Sequence, residues 1–198
     1  MPAKGLMTRK RRASGAASAN GRKVRKVTVV FTDLDRFLTW SRNLSLSELA
    51  TFMDLYYRDA GYIVRKFGGT VDKFFGDSVM AIFNAPDSVR NHERRAVQAA
   101  IALRARLSER WPELRMSVGV ATGTGIVGHF GPTFHRSYTA FGDVVQRAAQ
   151  LERQSSRTDF KILLDGDTFR GLGVGIPARK HSRIDPSLIG DGDPIYEI

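Results

Sequence analysis

The chain has 198 residues, 42% of them hydrophobic, which suits one well-buried domain, and it has no cysteine, which excludes a disulfide framework and a thiolate zinc site. Its formal net charge is +11, but residues 1–26 carry nine basic residues and no acid, leaving 22 basic against 20 acidic residues in the remainder. That near-neutral remainder argues against a specific nucleic-acid-binding face, and no apolar run approaches the ~20 residues that span a bilayer.

Residues 1–26, rich in Ala, Ser and Gly, read as a disordered basic tail or linker, and residues 27–198 as the folded domain. Without a signal-peptide pattern the expected location is the cytoplasm. Val27–Phe31 is a run of β-formers ending at Thr32-Asp33, a buried strand. Ser45–Lys66 has helical spacing (Leu49, Phe52, Met53, Tyr56, Ile63), with Ser45 or Ser47 as cap and Gly68-Gly69 as stop. Thr70–Phe75 and Ser78–Phe83 read as strands joined by Gly76-Asp77, a two-residue loop of type II′. Ser88–Arg110 is a second long helix, ended by Pro112. Leu114–Ala121 and Ile126–Phe130 read as two strands across a Thr-Gly-Thr-Gly turn, followed by a helix over Asp143–Arg153. Phe160–Leu164 and Ile195–Ile198 look like later strands. The order β-α-β-β-α-β is the split βαβ, ferredoxin-like plan of the α+β class, with helices on one face of a mostly antiparallel sheet and a C-terminal extension.

That plan makes the strands bearing Asp33 and Asp77 neighbours, so both carboxylates emerge at one sheet edge. Two close carboxylates repel unless a cation lies between them, and oxygen ligands of this kind suit Mg²⁺ or Mn²⁺ holding a phosphate substrate. Lys73 lies mid-strand, where lysine is unfavourable unless its face meets a partner or ligand. The literal G-x-G-x-x-G at Gly123–Gly128 lacks the following helix that a dinucleotide site needs, and a hairpin turn explains it. The four histidines have no ligand spacing, and no nucleophile-elbow serine occurs.

Three stretches together resemble the class III adenylate/guanylate cyclase catalytic domains: VTVVFTDL from Val27, GGTVDKFFGDSVMAIF from Gly68 and YTAFGDVV from Tyr138. The likeness runs from about residue 25 to the C-terminus. It implies a head-to-tail homodimer with two sites at the interface. Asp33, Asp77 and the Leu34 carbonyl would hold two Mg²⁺ or Mn²⁺ ions. Lys73 and Thr139 match the base-reading pair, in the adenine-type arrangement of the bicarbonate-responsive subgroup. ATP is therefore the expected substrate, with another nucleoside triphosphate as the alternative. Arg36 and Phe37 would meet the nucleotide, Arg36 standing where the family has glycine. A strand arginine of the family aligns with Ser117, with Arg115 on the same strand face. The late Leu-Lys-Gly aligns with Leu188-Ile189-Gly190, losing its lysine.

In the family the helix over Asp143–Arg153 carries Asn and Arg four residues apart, and here both are glutamine, Gln146 and Gln150. An amide still forms hydrogen bonds but brings no charge to the transition state. Losing one preorganised cation costs ~3 kcal/mol of barrier, or ~10²-fold in rate. Arg153, Arg147 and Arg36 are the nearby cations that could substitute. The resulting expectation is conversion of ATP to cyclic AMP and pyrophosphate with low intrinsic activity. The alternatives are a regulatory nucleotide-binding or dimerising module, and the metal-donating half of a heterodimer with another cyclase domain.

Overall fold

The computed structural model describes residues 21–198 apart from 160, 183, 186, 188 and 190–192. Strand β1 (Lys23–Leu34) is central, paired antiparallel on both sides, and from Val27 onward most of its residues are buried. It begins earlier than its composition suggests. Lys23–Lys26, read as tail, are strand residues, and their charges find partners: Arg25 donates to the Pro86 carbonyl at 2.7 Å and Lys26 pairs with Glu93 at 2.9 Å. The rest of the expected tail, residues 1–20, lies outside the described residues.

A short helix α1 (Phe37–Ser41) leads to α2 (Leu46–Lys66), whose start the sequence anticipates. Ser45 and Glu48 form a reciprocal capping box, with the Glu48 carboxylate accepting from the Ser45 N–H at 2.8 Å. Strands β2 (Gly69–Phe75) and β3 (Ser78–Phe83) form the expected hairpin, with Gly76 at φ 54° as a type II′ loop requires. Helix α3 (His92–Arg110) begins four residues later than expected. Asn84 holds the preceding segment as a loop, its side chain donating to the Lys26 carbonyl and accepting from the Val89 N–H, both at 2.9 Å.

Strand β4 (Met116–Phe130) corrects the expected turn at residues 122–125: it runs unbroken for 15 residues. Its glycines admit a helix instead. A Cβ on Gly119 would lie 2.2 Å from both the Ala148 carbonyl oxygen and the Glu152 nitrogen on α4 (Asp143–Ser155), and one on Gly123 would press against Val144 at 3.3 Å. The true hairpin joins β4 to β5 (Ser137–Phe141), in register from Ile126–Phe141 to Phe130–Ser137.

The chain ends with β6 (Ile162–Leu164), α5 (Gly166–Gly171), β7 (Arg179–Lys180) and β8 (Tyr196–Glu197). Strand order is β2-β3-β1-β4-β6-β8-β7, with β5 also on β4. Its first four members give the split βαβ core. Side chains alternate across the sheet, and each face has its own core. Val30 and Val120 pack with Val64 of α2 and Leu103 of α3, whereas Val29 and Ala121 pack with Ala148 and Leu151 of α4. Helices therefore cover both faces, not one as the plan suggested, because β4 offers glycine rather than bulk where α4 crosses it. No helix among the described residues is long and apolar enough to cross a membrane.

Candidate active site

The last registered pair of β1 and β3 is Thr32–Val79, which places Asp33 beside Ser78 and next to the hairpin tip that carries Asp77. The Ser78 hydroxyl donates to Asp33 Oδ1, and the Leu34 N–H bonds the Asp77 side chain. Two α2 tyrosines hold the tip: Tyr56 donates to the Asp77 carbonyl at 3.1 Å and Tyr57 to the Gly76 carbonyl at 2.6 Å. Burial pushes the Asp77 carboxyl above its ordinary pKa, and the neighbouring Asp33 charge pushes it the same way. That mutual opposition is what a cation bound between them would relieve, so the donor set fits Mg²⁺ or Mn²⁺ with water and phosphate completing the coordination. No cluster of three or more His, Cys, Asp or Glu side chains suited to a metal occurs among the described residues, so the pair and nearby carbonyls must suffice.

Glu152 on α4 is a third carboxylate in this field, and sequence spacing gave no sign of it. Burial first, and the charges of Asp33 and Asp77 next, raise its pKa, while the Ser117 hydroxyl donates to it. Ser117 is the register partner of Asp33 on β4. Ser117, expected to match an arginine of the cyclase family, thus presents a hydroxyl bonded to a helix carboxylate.

Lys73 and Thr139 also meet. The ammonium donates to Thr139 Oγ1 at 3.3 Å across β2 and β5, and Thr139 is buried while Lys73 is partly open. Asp72 joins them, its carboxylate accepting from the Thr139 hydroxyl. A third group lies beyond the end of β1, where a cavity of about 600 Å³ is lined by Asp35, Arg36, Thr39, Asn43 and Arg115. Arg36 and Arg115 are exposed there. Phe37 is not part of that lining. It is buried and stacks on Phe52 with ring centroids 5.5 Å apart, so only its backbone is available to a ligand.

Helix α4 buries Val144, Ala148 and Leu151 against the sheet. Gln146, Gln150 and Arg153 fall on the opposite side of the helix, Gln146 and Arg153 exposed and Gln150 half-buried. Arg147 points elsewhere and pairs with the buried Asp165 at 3.4 Å, so it is not a substitute cation for this stripe. Ile189 is buried in the α4-side core, where an apolar residue belongs, while Leu188 and Gly190 lie outside the described residues.

The sequence pattern of the adenylate and guanylate cyclase catalytic domain matches residues 20–185. Adenylate cyclase 1 of Rhizobium meliloti (strain 1021) is 32% identical over 81% of this chain and 27% of that protein. The terminal-differentiation specific adenylate cyclase of Dictyostelium discoideum is 28% identical over 77% of this chain but 7% of its own length. The chain therefore spans less than a third of either relative. Among solved structures, the adenylyl cyclase CyaB from P. aeruginosa superposes with a TM-score of 0.79 at 29% identity, covering 89% of this chain and 94% of that one. The guanylyl cyclase Cya2 gives a TM-score of 0.72 at 25% identity, covering 90% and 91%.

Proposed function

The chain belongs to the adenylate and guanylate cyclase catalytic domain family, and we propose that it converts ATP to 3′,5′-cyclic AMP and pyrophosphate at sites shared between two copies of itself. The observation that carries this reading is the Asp33–Asp77 pair, held together by Ser78, Leu34 and the two tyrosines although each charge opposes the other. Holding two half-buried like charges together is costly for a structural role alone and useful for binding divalent metal.

In the reaction the ribose 3′-hydroxyl gives up its proton, its oxygen bonds to the α-phosphorus, and the bond to the bridging oxygen breaks to release pyrophosphate. Two Mg²⁺ or Mn²⁺ ions on Asp33, Asp77 and the Leu34 carbonyl would favour the ionised hydroxyl and offset the triphosphate charge. Arg36 and Arg115 line the cavity beyond β1, and in this reading they would meet the triphosphate. Lys73 and Thr139 read the base, and a lysine donor beside a hydroxyl acceptor favours adenine. Gln146 and Gln150 orient ribose and phosphate by hydrogen bonds alone, so the expected turnover is slow.

A second reading, a regulatory module that binds nucleotide or only dimerises, draws support from the uncharged stripe on α4 and from the commitment of Arg147 to Asp165. A third, the metal-donating half of a heterodimer, draws on the same vacancies. Incubation with ATP and Mn²⁺ separates them. The cyclase reading predicts equal amounts of cyclic AMP and pyrophosphate, both lost in Asp77→Ala. ATP-dependent thermal protection without product would favour the module, and product only after mixing with a second cyclase domain would favour the half-site.

A further inference from the structure

We infer that Asp72, which a nucleotide cannot touch, sets the base preference of the site by fixing the direction of the Thr139 hydroxyl. The inference rests on the nucleotide site proposed above. Strand β2 is irregular. The register runs Val71–Ala81 and then Lys73–Met80, so Asp72 is an extra residue without a partner on β3. Such a bulge re-aims side chains. Here consecutive residues, which regular pleating would send to opposite faces, both reach Thr139. The Asp72 side chain is fully buried, at 0% exposure, whereas that of Lys73 keeps 35%.

The polarity of the cluster follows from its inventory. A carboxylate only accepts, so the proton between Thr139 Oγ1 and Asp72 Oδ2, 2.5 Å apart, belongs to the hydroxyl. The Lys73 ammonium donates to the same Thr139 oxygen at 3.3 Å and stands 3.2 Å from Asp72 Oδ1. One lone pair remains on Thr139, and Lys73 keeps N–H groups to donate. Together they present an acceptor beside a donor. Adenine offers the complement, an exocyclic amino donor beside the N1 acceptor. Guanine offers the reverse, the O6 acceptor beside an N1–H donor, and would meet lone pair against lone pair and N–H against N–H. A hydroxyl free to rotate could turn its proton toward O6 and remove one of those two clashes, narrowing the discrimination against guanine. Asp72 removes that freedom, and it is a positioning residue because it acts through Thr139 and Lys73.

The test is calorimetric titration of the full chain with ATP and with GTP, each with Mn²⁺, which needs no turnover. Wild type is expected to prefer ATP. Asp72→Asn, whose amide can donate as well as accept, should lower the ATP-to-GTP affinity ratio about tenfold or more. Thr139→Val should narrow the preference too, leaving only the Lys73 donor to discriminate, and in that background Asp72→Asn should change the ratio no further. Thermal unfolding of each variant checks that it is folded. An unchanged ratio in Asp72→Asn, equal weakening of both nucleotides, or an undiminished effect in the Thr139→Val background would overturn the role of Asp72 and leave the proposed site standing. Wild type that binds both nucleotides equally, or neither, would overturn the base site and this inference with it.

Discussion

Arg36 adopts φ 54° and ψ 23° where the chain turns from β1 into α1. A side chain in that left-handed conformation costs about 1–2 kcal/mol, and the extra unfolded-state freedom of glycine returns about 0.5–1 kcal/mol of it. Arg36→Gly should therefore stabilise the protein by roughly 0.5–1 kcal/mol in urea unfolding, while raising the KM for ATP if the guanidinium meets phosphate. Asp77 and Glu152 give a pH signature. Both carboxyls are raised in the folded state, so their contribution is full below the ordinary carboxylate pKa and is lost as pH rises through the higher folded value. Metal-free protein should accordingly gain stability as pH falls from neutral toward the carboxylate range, and Mn²⁺ should flatten that dependence in thermal scans. Gln146→Asn combined with Gln150→Arg restores the charge missing from α4 and should raise turnover by ~10²-fold. Unchanged turnover would mean that another cation, Arg153 on the same stripe, already acts there.

Helix α4 and strand β4 form the unit on which the proposed site depends, because the helix carries Gln146, Gln150 and Glu152 and the strand carries Ser117. Gly119 is where they touch most closely. Gly119→Ala would force the helix outward and should cost about 2–3 kcal/mol in chemical denaturation, lowering turnover as well as stability. Sequence spacing misread this unit. Gly123 and Gly125 have the signature of a turn, yet here glycine answers to what crosses it rather than to its own φ, and no local pattern encodes a helix distant in sequence. The elements read correctly have a local cause: the Ser45 cap, the Gly76-Asp77 hairpin and the 3.6-residue spacing of α2. The same contrast holds within the site. Asp33, Asp77, Lys73 and Thr139 were legible as motif residues, whereas Asp72 acquires its role from a bulge and Glu152 from a strand 35 residues away.

Cyclisation at a shared site requires two copies, each proposed site taking Asp33 and Asp77 from one subunit and Lys73 and Thr139 from the other. Complementation tests this. Asp33→Ala and Lys73→Ala should each be inactive. Mixed in equal amounts they should recover about a quarter of wild-type activity, since random pairing makes about half the dimers mixed, with one intact site of two. The mixture should remain inactive if each site is built within one chain. The C-terminal extension was the least legible region, because strands of two or three residues are too short to show a period. Nucleotide cyclisation at the paired carboxylates can be read out by incubating the protein with ATP, GTP, CTP and UTP separately in Mn²⁺ and identifying products by mass spectrometry beside Asp33→Ala. Cyclic AMP should form from ATP, with little or no product from the other three nucleotides and none from the variant. Folded, dimeric protein that yields no cyclic product from any nucleotide would contradict the proposed cyclisation.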